Sequence, residues 1–362
     1  VIFIIAVTLF FIILRFAVTL FNFISDPKLR RVSKRYQHMV SILIPVRNEQ
    51  DNILPLLESI HQQDYQNYEV IILDDDSADE TYRICELFAA SHPQFKILKG
   101  NKLPKEWLGK NYACHQLAMA AAGNFFLFVD ADEYLQNGLI NAAVHRMHTN
   151  KLGLLSIFTN QVMPTIGEKL VVPLMHYVLL NLLPLRLVFL SKNQTVAAAS
   201  GQFMLFDAEV YRQYEWHKQV KDKVVEDVEI MRLIKSESFN GETLLANGMI
   251  MCRMYKNFKE AINGFSKNFL AAFNYSIPGF LVYMLLLIGG PLMVMSTLNL
   301  NLISFMVSLI ILSRVMISLS AGQNAWLNAL LHPLQMGSLV IIGCLAVQRH
   351  LTKTTEWKGR RI

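Results

Sequence analysis

Three short apolar runs in the middle of the chain, Ser41 to Val46, Val70 to Leu73 and Phe125 to Val129, each end at or just ahead of acidic residues. The acids are Glu49 in IPVRNE, Asp74 to Asp76 in ILDDDSAD, and Asp130 and Asp132 in FVDADE. Short apolar runs bounded by turn signals read as strands buried on both faces, the pattern of a parallel sheet. Between them, Asp51 to Gln62, Glu80 to Ala90 and Tyr112 to Ala121 have helical spacing, and Phe95 to Leu98 reads as a further strand. This alternation predicts an α/β, Rossmann-like nucleotide-binding fold. Ligands bind such sheets at the carboxyl ends of the strands. The acids are therefore expected in one crevice, where a divalent cation would offset their charge and that of a nucleotide diphosphate.

Composition divides the chain around that domain. Of its 362 residues, 53% are hydrophobic, too many for an ordinary soluble domain. Residues 1 to 24 are apolar except for Thr8, Arg15, Thr19 and Asn22, and apolar runs return from Ile277 to Val347. The expected plan is an anchor at 1–25, a catalytic domain at 26–275 and a membrane bundle with a basic tail at 276–362. The first run exceeds the ~7 to 15 residues of a signal-peptide core and lacks a small-residue cleavage site, so an uncleaved anchor is expected. Arg15 facing lipid would cost roughly 2.5 to 3.5 kcal/mol, so it is expected to snorkel or face a neighbouring helix.

Lys28, Arg30, Arg31, Lys34 and Arg35 follow the anchor and predict a cytoplasmic catalytic domain in a multi-pass protein of the cell membrane. The tail, with Arg349, His350, Lys353, Lys358, Arg360 and Arg361, favours the same side and hence an even number of C-terminal crossings. Of the runs Ile277 to Leu298, Leu302 to Leu319 and Pro333 to Val347, the last falls short of the ~20 residues a spanning helix needs and is expected to be interfacial or re-entrant. Leu170 to Leu190 is apolar but interrupted by Pro173, His176, Asn181, Pro184 and Arg186. It reads as a membrane-lying helix pair that guides a lipid acceptor, or equally as a buried core helix. The net charge of +6 lies largely beside apolar spans, so anionic lipid rather than nucleic acid is the expected partner. Cys85, Cys114, Cys252 and Cys344 show no paired or zinc-type spacing and fit a reduced cytoplasm.

Each acidic motif has a structural and a chemical explanation. Asp130 and Asp132 flank one residue after a strand and can share a hard cation, although aspartates there also cap helices. Asp74 to Asp76 place three like charges together, which calls for a cation or several donors, whereas capping the next helix by Ser77 or Asp79 accounts for only one acid. Glu49 alone reads as a first-turn acid favoured by the helix dipole. Glu226 and Asp227 open a helical pattern, where acids are expected, and Asp227 is also a candidate general base. Lys110 in W-L-G-K precedes a helix and can bind a phosphate or a base, or stay solvated.

In order, IPVRNE, ILDDDSAD, W-L-G-K-N, FVDADE, S-G-Q-F-M-L-F, VVEDVEI and R-M-Y-K-N, spanning Ile44 to Asn257, resemble a family 2 glycosyltransferase of the GT-A fold. The membrane flanks and closing W-K-G-R (Trp357 to Arg360) resemble its carotenoid- and hopanoid-associated subgroup. The resemblance implies that Pro45, Glu49 and Asp75 hold the uracil and ribose of a nucleotide-sugar donor, and Lys110 the base or diphosphate. It also implies that Asp132, supported by Asp130, binds Mg or Mn, that Asp227 beside Glu226 is the base of an inverting displacement, and that Arg253 lies on the donor side. The full Q-x-x-R-W motif of processive synthases is absent, which argues against a polymer synthase. Many relatives carry a G-G-H turn where this chain has Glu215-Trp216-His217. The implied activity is hexosyl transfer, with UDP-glucose as the expected donor and a lipid such as a carotenoid acid as acceptor. The alternatives are a polyprenyl phosphate acceptor or, in another class, a non-catalytic membrane or transport protein. A transport protein would carry ionisable residues inside its spans, and only Arg15 and Arg314 qualify.

Overall fold

Seven strands form one mixed sheet: β1 (Val40–Val46), β2 (Tyr68–Asp74), β3 (Phe95–Lys99), β4 (Phe125–Val129), β5 (Leu152–Phe158), β6 (Phe203–Asp207) and β7 (Asn240–Leu245). The computed structural model describes residues 2–352 together with the backbone of 356–357 and 360–361. Lys353 and Lys358 of the basic tail, and Lys358 and Gly359 of W-K-G-R, lie outside the described residues. The strand order is β3-β2-β1-β4-β6-β5-β7. The first four strands run parallel, β6 is antiparallel to both neighbours, and β7 is parallel to β5. Val46 pairs with Asp74 and Asp74 with Lys99, so the ends of β1, β2 and β3 are level.

The expected α/β alternation is observed. Helices Ile53–His61, Thr81–Ser91 and Gly109–Ala120 connect the parallel strands. Ile42, Ile44, Val70, Ile72 and Leu127 are fully buried, and each such side chain contributes about 1.5 to 3 kcal/mol. This sheet belongs to a compact unit of residues 27–160 and 185–253.

A second unit comprises the residues up to Asp26, residues 161–184 and those from Met254 onward. It therefore takes in 161–184 and 254–275, which the composition shift assigns to the catalytic domain. Four of its helices are long and apolar enough to cross a membrane: Ile2–Ser25, Ile277–Met295, Leu300–Ser320 and His332–Thr352. The last is longer than its apolar run suggests. It starts at His332 and continues past Val347 through polar residues, giving a helix of 21 residues. A π-helical turn, Leu285–Gly289, lies within the second helix. Just beyond it, a Cβ on Gly290 would lie 2.6 Å from Thr8 Cγ2, so the close approach of these helices requires glycine.

The interrupted segment from Leu170 to Leu190 divides between the units. Helix Pro173–Leu182 belongs to the helical unit and buries Leu174, His176, Tyr177, Leu180 and Asn181. The short turn Leu187–Leu190 belongs to the other unit. Asn22 Nδ2 donates to the carbonyls of Leu180 and Leu183, each at 2.8 Å, and so satisfies carbonyls at the end of that helix. Arg15 Nε donates to Asn181 Oδ1 at 3.2 Å, so Arg15 faces a neighbouring helix.

Candidate active site

Local donors hold the loops after β1 and β2, although Asp74 Oδ1 is buried without a partner. Arg47, inside IPVRNE, donates to the backbone carbonyls of Asp75 and Asp76, the second at 3.0 Å, and lies 3.8 Å from the Asp76 carboxylate. The Ser77 amide donates to Asp74 Oδ2 at 3.2 Å, and the Asp75 amide to the Val46 carbonyl at 2.9 Å. Asp74 and Asp75 are buried, while the Asp76 side chain points to solvent. The three charges thus do not converge on one point. Glu49 receives a hydrogen bond from Asn52 Nδ2 at 2.7 Å, and its amide donates to Thr81 Oγ1 at 2.7 Å, which ties the β1 loop to the helix after β2. Pro45 lies near the end of β1 and is partly exposed.

A second constellation forms around Lys110. Its helix starts at Gly109, and Asn111 Nδ2 donates to the carbonyls of Val220 (2.8 Å) and Lys223 (3.0 Å), anchoring the loop that leads into helix Glu226–Ser236. The anchor brings Lys110 Nζ to 2.9 Å from Asp130 Oδ1 and 3.3 Å from Glu226 Oε1. Burial works the other way, but Asp130 and Glu226 hold the Lys110 ammonium well above its usual range. Asp227 accepts from the Gly201 amide at 2.9 Å and from the Val228 amide at 2.8 Å, which fixes its carboxylate. Burial, with Glu226 adding to it, pushes the Asp227 carboxyl up to about 7. A Cβ on Gly201 would lie 3.0 Å from Lys110 Nζ and 3.1 Å from Glu226 Oε1, so glycine keeps that space open. The turn carrying Gly201 is fixed by Ser156, whose Oγ accepts from the Ser200 amide at 2.7 Å and donates to the Ser200 carbonyl at 3.1 Å.

The third constellation surrounds Asp132. Strand Glu133–Leu135 pairs antiparallel with Ile250–Cys252, setting Cys252 opposite Glu133. Cys252 Sγ donates to Asp132 Oδ2 at 3.3 Å, and neither carboxylate oxygen of the buried Glu133 has a hydrogen-bond partner. Asp132, Glu133 and Cys252 each offer a ligand atom, all within 4.8 Å of one another. Burial, then Asp130 and Glu49, push the Asp132 carboxyl up to about 7. Crowded carboxylates with orphaned oxygens are a donor set that fits a divalent cation. Arg253 follows Cys252 directly and is exposed.

Lys110, Asp130, Glu226 and Asp227 are therefore brought together, and Asp132 lies beside them with Glu49 in electrostatic range. Glu133, Cys252, Gly201 and Arg47 join the site without having been singled out by the motifs. Arg47 has the clearest sequence signal, as a cation two residues past Pro45 with three aspartates to answer. His217 is buried, with its Nδ1 2.6 Å from the Tyr211 hydroxyl, and burial and then Lys110 push it down to about 3, so it is neutral.

Residues 41–215 match the family described as Glycosyl transferase family 2. The chain is 27% identical over 268 residues to 4,4'-diaponeurosporenoate glycosyltransferase of Staphylococcus haemolyticus, covering 73% of this chain and 69% of that one. It is 25% identical over 342 residues to the enzyme of the same name from Staphylococcus aureus, covering 89% and 88%. Among solved structures, a mannosyltransferase from Pyrobaculum calidifontis in complex with GDP-Man and Mn2+ superposes with a TM-score of 0.56 at 15% identity, over 96% of this chain and 99% of that one. That likeness is one of fold, the GT-A fold.

Proposed function

We propose that the chain, whose residues 41–215 match glycosyltransferase family 2, is a member of that family and transfers a hexose, with inversion, from a nucleotide-sugar donor to a lipid acceptor. UDP-glucose is the proposed donor and a carotenoid acid the proposed acceptor, a pairing supported by the names of the curated relatives. The observation that carries the reading is the Lys110 bridge between Asp130 and Glu226, which draws the acids after β4 into one site with Asp227.

The proposed division of labour follows from the contacts. Pro45, Glu49 and Asp75, at the ends of β1 and β2, would receive the nucleoside, with Arg47 holding the loop shape. Asp132 and Asp130, with Glu133 beside them, would hold Mg or Mn, which when bound supplies positive charge to the leaving diphosphate, while the Cys252 thiol would orient Asp132. Lys110 would keep Asp130 and Glu226 oriented and add its own charge beside the diphosphate, and Arg253, just past strand Ile250–Cys252, would serve the donor. Asp227, fixed by two amides, would take the proton of an attacking hydroxyl. A carboxylate acceptor is already ionised near neutral pH, and Asp227 would then only orient it. The basic cluster after the first helix supports a multi-pass membrane protein with its catalytic unit on the cytoplasmic side.

Membranes bearing the protein, supplied with Mg or Mn and radiolabelled UDP-sugars or GDP-mannose, test this reading by the label extracted with lipid. Label from UDP-glucose on a carotenoid acid is the expected result. Label on polyprenyl phosphate instead would replace the acceptor, and absence of lipid product from every pair would overturn the catalytic reading.

A further inference from the structure

We infer that the helical unit contains a binding site for the anionic head group of a lipid, built around Tyr177 by Arg15, Arg314, Asn181 and His332. The starting observation is an imbalance of charge. Arg314 is fully buried and Arg15 is 8% exposed. Among the described residues, no carboxylate of this unit pairs with either guanidinium. Glu168 caps its own helix through Thr165, and Glu260 does the same through Asn257. Two unpaired cations among helices apolar enough to cross a membrane are costly, and such residues face a partner or a polar cavity.

The neutral partners do not complete the set. Arg15 Nε uses Asn181 Oδ1, Arg314 Nε lies 3.5 Å from the Asn328 carbonyl, and Arg314 Nη2 uses Gln335 Oε1. Gln335 Nε2 donates to Asn328 Oδ1 at 3.1 Å, so the side-chain oxygens of both amides already accept a hydrogen bond. Arg314 Nη1, Asn181 Nδ2, His332 Nδ1 and the Tyr283 hydroxyl are buried with no partner. Two of these residues, Arg314 and His332, converge with Arg15 on one ring. The guanidinium carbons of Arg15 and Arg314 lie 5.1 and 4.7 Å from the Tyr177 centroid, and the His332 ring lies 5.4 Å from it.

An aromatic face accommodates cations but offers no oxygen lone pairs to N–H groups. Arg314 Nη1 and Asn181 Nδ2 can only donate, so beside two positive charges the cluster holds donors without acceptors. Its complement is a compact anion with several oxygens, a phosphate or a carboxylate, which guanidinium groups bind well. The surrounding helices select an anion that arrives on an apolar chain.

The test uses the full chain, purified in neutral detergent and stripped of lipid, and reads thermal unfolding and bound lipid by native mass spectrometry. Phosphatidylglycerol or oleate is expected to raise the midpoint by several degrees and to remain bound, whereas phosphatidylcholine and inorganic phosphate are not. Arg15→Gln and Arg314→Gln are expected to lose the shift, and Arg15→Lys to keep part of it. Should Arg314→Gln fail to fold, Arg15→Gln carries the test alone. A response to phosphatidylglycerol only assigns a phosphate head, and one to oleate only a carboxylate. An equal response to phosphatidylcholine, an equal response to inorganic phosphate, or a full shift in Arg15→Gln overturns the inference. Asp132→Ala is expected to keep the whole shift, so loss of the proposed transfer and loss of this site are read separately.

Discussion

The two units bury charge of opposite sign. In the α/β unit Asp130 and Glu226 flank one lysine, Lys110, with the acids Asp227, Asp132 and Glu133 close to them. In the helical unit Arg15 and Arg314 share a neutral polar cluster with no acid among the described residues. Each arrangement is unfavourable in isolation, because like charges in a low-dielectric setting repel and unpaired ones lose their hydration. On the readings proposed above, each would receive charge of the opposite sign: a cation carrying a diphosphate in the first, an anion in the second. Stability and function are separable on this view, since the groups that make each site useful are those that strain it.

Asp132→Ala tests that separation with the largest expected effect. Transfer is expected to fall about a thousandfold or more, while the unfolding midpoint holds or rises because one of several mutually repelling carboxylates is gone. Sugar transfer and thermal melts on the same preparation check it, and a collapse in midpoint would mean that the acids stabilise the fold. Lys110→Met has the opposite stability effect. It leaves Asp130 and Glu226 without their cation and is expected to cost about 2 kcal/mol, a buried-pair penalty reduced for partial exposure, and about a hundredfold in rate. Equal stability in Lys110→Met and wild type would show that the lysine does not offset the acids.

The Asp227 carboxyl, raised to about 7 by burial and then Glu226, gives a tenfold effect with a sign that can be worked out. As a base it acts when ionised, so the rate is expected to fall about tenfold for each pH unit below 7. Stability moves the other way. The folded state holds the proton to higher pH than the unfolded chain, so the stability linked to Asp227 is fully present below about 4 and is lost as pH rises through about 7. Rate and melting profiles from pH 5 to 8, with Asp227→Asn as the flattened control, read both slopes. A rate without the acidic limb alongside an intact stability slope would mean that the acceptor arrives already ionised.

Much of the first site is legible along the chain because three apolar runs, buried on both faces, announce parallel strands and place acids at their ends. The antiparallel β6 is not, since an apolar run such as Phe203 to Phe206 reads the same in either direction. The Lys110 bridge is half legible: W-L-G-K shows a lysine at a helix start, but not the Asn111 contacts that bring Glu226 to it. Cys252 and Asp132 lie 120 residues apart and meet only through a pairing of three-residue strands, for which no spacing rule exists. In the helical unit Arg15 and Arg314 stand out against apolar runs, yet their shared ring, Tyr177, lies in a segment that composition assigns elsewhere.

The smallest effects concern backbone, and here too the units differ. Glu215 has φ +47, a left-handed conformation that costs an ordinary residue about 1 kcal/mol or more. The backbone contact from the Lys218 amide to the Glu215 carbonyl at 2.8 Å is independent of the side chain, and the Glu215 carboxylate gains only an exposed bridge to Lys218. Glu215→Gly is therefore expected to raise stability by up to about 1 kcal/mol, after the entropy that glycine adds to the unfolded chain. Gly290 is the converse, since its missing Cβ is what lets Thr8 approach. Gly290→Ala is expected to lower stability by about 1 to 3 kcal/mol through overpacking. Midpoints measured for both variants in one detergent decide the matter: a loss in Glu215→Gly larger than that in Gly290→Ala would place the tighter backbone constraint in the α/β unit and reverse the contrast.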